Sequence, residues 1–194
     1  MERQLTQTRH GLLAMVVAVI AMVGCKDGKN PQNPTAADTV AVEQGEADST
    51  VYGVCGEATS MNSLELITDA GDTIQYMLLD GDDSMADMQG GLMVGDRLAV
   101  LGQEREGESY ARQVINLTTL LGKWSSLDKN FEILEGGVVK SRVKAESAPW
   151  TSWRICNGKL LLNRDTFTVN TLGADTLYLE NKDGIFAYQR AKNN

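Results

Sequence analysis

The chain has 194 residues, room for one or two domains. Its 18 Lys and Arg against 26 Asp and Glu give a formal net charge of −8, which argues against a nucleic-acid partner, whose phosphates need a basic footprint. With 42% hydrophobic and 23% charged residues it is no disordered tail, and 19 Gly beside 3 Pro suit a turn-rich β protein.

Residues 1–24 read as a signal peptide. Arg3 and Arg9 precede an unbroken apolar run over 12–23, and Gly24 stands directly before Cys25. Twelve apolar residues are too few to span a bilayer as a helix. Val23-Gly24-Cys25 resembles the lipobox of bacterial lipoproteins, with Met22 where that motif usually has Leu. The resemblance implies that Cys25 is acylated through its sulfur and becomes the new N-terminus, anchoring the protein in the outer membrane of the cell envelope, on its periplasmic or its surface face. An ordinary signal peptide cut elsewhere, leaving Cys25 free, is the competing reading. Cleavage would leave 16 cationic and 25 acidic residues, a net charge of −9, and would remove His10, the sole histidine. That excludes Ser-His-Asp catalysis, His-ligated zinc and an imidazole pH switch from the mature chain.

Residues 25–48 read as the lipidated cysteine and a flexible tether. They carry Pro31, Pro34 and many small residues, too little apolar surface to offset the entropy of ordering. A coil of that length reaches roughly 25–30 Å. Cys55 and Cys156 do not form a CxxC pair, so no thiol-redox or zinc-thiolate site is expected. A disulfide between them would add ~4.7 kcal/mol in the chain-entropy model, but nothing in the sequence brings the two together, and separate thiols are the expectation.

Residues 49–118 read as an OB-like five-stranded β domain. Strands are predicted over 51–58, 63–68, 73–79, 94–101 and 110–117, with turns at Ala70-Gly71-Asp72 and over 104–108. Ser84 followed by Asp87 is a capping pattern, so residues 85–89 are predicted to form one short helix ended by Gly90-Gly91. Three strands, a helix and two strands is the order of an OB-type barrel. Its few cations (Arg97, Arg105, Arg112) and aromatics (Tyr52, Tyr76, Tyr110) do not suit single-stranded nucleic acid.

Residues 119–192 read as a small eight-stranded up-and-down barrel. Strands are predicted over 120–125, 130–134, 138–142, 150–156, 159–162, 166–172, 176–180 and 184–190. Gly136-Gly137, Asn157-Gly158 and Asp183-Gly184 are hairpin signals. Leu160 with Leu162, Phe167 with Val169, and Leu177 with Leu179 alternate as half-buried strands do. Two barrels of about 70 residues each would be marginal alone and are expected to pack on one another.

Gly122-Lys123-Trp124 resembles the Gly-x-Trp of the first lipocalin strand. With the final Tyr188-Gln189-Arg190 and the lipobox, residues 120–191 resemble the compact lipocalin-like domains of bacterial, Bacteroidota-type, lipoproteins. The resemblance implies that Trp124 closes one end of the barrel with Arg190 packed across its ring, a cation–π contact. True lipocalins are about twice this length, and short strands can close a barrel around its own side chains, so a ligand does not simply carry over.

The candidate ligand or partner contacts are Trp150, Trp153, Phe186 and Tyr188. Trp153 shares its face with Ile155 and is expected in the core, whereas Trp150, after Pro149, is expected to be the more exposed. Asp80, Asp82 and Ser84 imitate the start of a calcium loop, but Met85 and Gly91 occupy the positions that need Gly and Glu. Met77, Met85, Met88 and Met93 are expected in core or helix packing rather than on a metal. No cofactor, no metal and no enzymatic activity are expected. The expected role is non-catalytic binding of a small apolar molecule in the second barrel. A protein-interaction scaffold with both barrels self-filled is the alternative. Third comes a hydrolase working through carboxylates such as Glu132, Glu135, Glu146 and Asp165.

Overall fold

A computed structural model of the protein describes residues 47–79, 84–143 and 146–192. The proposed signal peptide, Cys25, nearly all of the tether, and Asp80, Asp82 and Asp83 lie outside the described residues. The chain is mostly β, in two sheets joined by one helical turn.

The first sheet holds β1 (Thr50–Cys55), β2 (Ser63–Thr68), β3 (Thr73–Met77), β4 (Asp87–Gln89), β5 (Arg97–Arg105) and β6 (Glu108–Asn116). Strand β1 pairs antiparallel with both β2 and β5. Strand β3 reaches β6 in parallel through Tyr76 opposite Ser109 and Met77 opposite Tyr110. Strand β4 lies parallel to β6 further along, Asp87 opposite Gln113. The helix expected over 85–89 is therefore a strand. Five residues are far too few for a helix to persist without packing, and here the backbone extends the ladder of β6 instead. Met77, Met85, Met88 and Met93, expected to pack inside, are all exposed. Their loops and short strands lie along the outside of the sheet, whose interior is closed by Leu64, Leu66, Leu98, Val100 and Val114.

The second sheet runs as a meander. Its strands are β7 (Gly122–Ser125), β8 (Asn130–Leu134), β9 (Val138–Ser141), β10 (Trp153–Cys156), β11 (Lys159–Leu162), β12 (Asp165–Leu172), β13 (Thr176–Asn181) and β14 (Gly184–Arg190). Every neighbour is antiparallel, and β14 returns to pair with β7. Between β9 and β10, a bridge from Val138 to Ser152 and a 3.0 Å bond from Val139 N to Thr151 O bring the barrel nearly to closure. Asn157-Gly158 and Gly184 sit in its hairpin turns with positive φ, the geometry tight turns require.

Strands β5 and β6 explain why the two sheets form one body. Successive side chains on a strand face opposite ways. Leu98, Val100 and Val114 fill the first core, whereas Ala99 and Ile115 join the core of the second sheet. Helix α1 (Leu117–Leu120) follows at once, capped by the Asn116 side chain, which accepts from Thr119 N at 2.9 Å. Leu117 and Leu120 are buried in that second core. Polar contacts add to the junction. The Tyr52 hydroxyl donates to Ile155 O at 2.7 Å, Asn157 Oδ1 accepts from Ser49 N at 2.8 Å, and Gln89 Oε1 accepts from Leu172 N at 2.9 Å.

Cys55 and Cys156 are both free thiols. Asn157, next to Cys156, is hydrogen-bonded to Thr50 at the start of β1. Cys55 lies at the other end of that strand, about 17 Å away at the usual rise, well beyond the ~7 Å a disulfide tolerates between Cα atoms.

Candidate functional site

Trp124 and Arg190 meet at one end of the second sheet. Arg190 pairs with Trp124 across β14 and β7, and its guanidinium lies 4.2 Å from the indole centroid. The same group donates to the carbonyls of Leu121, at 2.8 Å, Thr119 and Ala174. The Trp124 indole N–H donates to Leu120 O at 2.9 Å. Gly122 has φ +124, and a Cβ there would stand 2.5 Å from Arg190 Nη1. Gly122, Trp124 and Arg190 thus form one contiguous cluster. Burial pulls the Arg190 pKa down from its ordinary value against the opposing charge of Asp175.

The barrel interior is filled by its own side chains. Ile133, Leu160, Leu162, Val169, Leu177 and Leu179 are all buried there. Space remains at the other end, in a cavity of about 440 Å³ between the β7–β8 loop, the β13–β14 turn and β12. Trp150, Phe167, Phe186 and Tyr188 line it. These rings belong to an edge-to-face chain that runs Phe186–Phe167–Trp150–Phe131–Tyr188. Its centroid spacings are 6.0, 5.7, 5.1 and 5.1 Å, within the range such pairs favour. Trp150 and Tyr188 form the floor, 7% and 2% exposed, whereas Phe186 is 36% exposed and Leu127 and Ile185 stand out at the rim.

Three of the four candidate contacts therefore meet at one place. Trp153 lies elsewhere, and the expected order of the two tryptophans is reversed. Trp150 is buried because it turns its ring inward against Phe131 and Phe167 and donates its indole N–H to Asp165 Oδ2 at 3.0 Å. Trp153 is only half-buried and donates to Leu134 O at 2.7 Å. It helps line a second cavity of about 520 Å³ where the sheets meet, with Tyr52, Arg97, Glu135 and Arg154. The sequence carries no signal for Lys129. Its ammonium lies 4.2 Å from the Trp150 ring centroid and is paired with Glu146.

Two of the four candidate carboxylates are held in ion pairs. Glu132 is paired with Arg142, and Glu146 accepts from both Lys129 and Ser141. The hydrogen bonds from Lys129 and then Ser141 hold the Glu146 carboxyl below its usual range. Arg97 does the same to Asp69. Among the described residues no group of three or more Cys, Asp, Glu or His is placed to hold a metal ion.

No protein-family model, curated protein or solved structure matches the chain.

Proposed function

We propose that the protein is a lipid-anchored envelope protein with a non-catalytic binding role, and that it holds a small, largely apolar molecule in the aromatic cavity at the open end of the second barrel. The observation that carries this reading is the ring chain opening into about 440 Å³, with exposed Leu127, Ile185 and Phe186 around its mouth. A concave aromatic floor beneath an apolar rim is the usual composition of a small-molecule site. A lipocalin-like barrel with this site fits the Trp124–Arg190 end, and an OB-like first domain fits the cyclic pairing order β1-β2-β3-β6-β5.

The test is titration of the full-length protein with N-phenyl-1-naphthylamine, an uncharged dye that brightens in apolar surroundings. One saturable site is expected, and Phe186→Ala should weaken binding about tenfold, the equivalent of ~1.4 kcal/mol. Phe186 is the ring to replace because it is partly exposed and its loss leaves the buried floor in place. No saturable binding, or an affinity that Phe186→Ala leaves unchanged, would remove this site and leave the scaffold reading, in which the filled interior serves only to present a surface to envelope proteins.

The anchor is tested separately. Cys25→Ala should abolish incorporation of labelled palmitate and move the protein from the membrane to the soluble fraction. Labelling that survives the substitution would remove the lipoprotein assignment.

A further inference from the structure

Among the described residues lining the aromatic cavity, acidic side chains outnumber cationic ones. Asp128, Asp165 and Asp183 line it, and Glu146 stands behind Lys129. Among the described residues Lys129 is the one cation lining it, and its ammonium already rests on the Trp150 face. Lys182 and Arg164 neighbour the site in sequence, but neither lines it. The carboxylate field reaches the floor. Burial, followed by the charges of Asp128 and Glu146, pushes the Tyr188 hydroxyl up to about 12.

Aromatic faces attract cations through the negative charge of the ring quadrupole, most strongly where water is excluded. Carboxylates around a low-dielectric cleft add to that field. Lys129 on Trp150 is a case of such recognition within the chain itself. We infer that the ligand of this cavity is an organic cation, an amine or quaternary ammonium carried on an apolar body. This rests on the binding site proposed above. The apolar body would lie against Phe167 and Phe186, and the cationic head would face Asp128 and Asp183 at the mouth.

The experiment compares three probes of similar shape on the full-length protein, followed by tryptophan fluorescence and calorimetry. They are benzyltrimethylammonium, its uncharged carbon isostere neopentylbenzene, and 3-phenylpropionate. Benzyltrimethylammonium is expected to bind about tenfold more tightly than the isostere, and 3-phenylpropionate most weakly. Lys129→Met removes the resident positive charge and should tighten benzyltrimethylammonium severalfold while leaving the isostere nearly unchanged. An anionic ligand would show the opposite sign. Asp183→Asn, an exposed turn residue whose replacement leaves the fold intact, should loosen the cation severalfold and do so less at high salt. Equal affinity for the cation and its isostere overturns the charge preference and leaves the apolar site standing. Tightest binding of 3-phenylpropionate overturns the preference as well. Failure of all three probes to bind overturns both.

Discussion

Trp124→Ala is expected to destabilise the protein by about 3–5 kcal/mol, the cost of deleting a large aromatic side chain from a packed core. Trp124 is 1% exposed, and two specific contacts end with it. Its indole leaves Leu120 O without a donor at the end of helix α1. The Arg190 guanidinium loses the ring that covers it. The cavity that remains lies between α1 and the first strand of the barrel, where the backbone is already fixed by the Arg190 bonds to Thr119 and Leu121. Domains of this size are stable by only about 5–15 kcal/mol in all, so a large share of the total would go. Urea unfolding checks it. The midpoint should fall sharply with little change in slope. A loss below about 1 kcal/mol would mean that Trp124 does not hold the barrel end together.

The same residues show what a sequence can and cannot reveal. The strands of the second sheet were legible because three of its turns carry their own signals and the strands between them alternate. Asn157-Gly158 and Asp183-Gly184 demand turns, and the alternation of Leu177 with Leu179 fixes a buried face. No local pattern brings Gly122, Trp124 and Arg190 together, since 69 residues of chain separate Leu121 from Arg190, its hydrogen-bond partner. Local pattern failed where tertiary pairing overrode it. Ser84 and Asp87 look like a helix cap, yet the segment after them joins β6, and Asp87 spends its carboxylate on Gln89 and Gln113.

The site was half-legible for a related reason. Aromatic residues on strands can be counted from sequence, but the direction of a ring that lies just before a strand cannot. Trp150 precedes β10, so parity along that strand says nothing about it, and the Asp165 carboxylate fifteen residues later determines where its indole points. Lys129 was invisible for the same reason. Its place on Trp150 is a consequence of the β7–β8 loop folding back over the barrel end. By contrast Phe186 and Tyr188 are two apart on β14 and share a face, a pairing that parity along the strand does give.

Gly53→Val should be the most damaging substitution in the first sheet, costing upward of about 3 kcal/mol, beyond the ordinary range for overpacking. Gly53 sits in the middle of β1, opposite Thr68 on one side and Leu98 on the other. A Cβ there would lie 2.9 Å from the carbonyl carbon of Ile67 and from Leu66 Cγ, and closer still to Ile67 O. Backbone cannot rotate out of the way as a side chain can, so β1 and β2 must part. Gly173→Ala is the control. A Cβ there meets nothing within 4 Å, and its effect should stay within about 0.5 kcal/mol. The informative readout is tryptophan fluorescence, because Trp124, Trp150 and Trp153 all lie in the second half of the chain. Since β5 and β6 supply Ala99 and Ile115 to the second core, damage at Gly53 is expected to lower the unfolding midpoint reported by those distant tryptophans, in step with circular dichroism. A fluorescence transition that stays in place while the circular-dichroism transition moves would mean that the two sheets unfold independently and that their shared residues do not couple them.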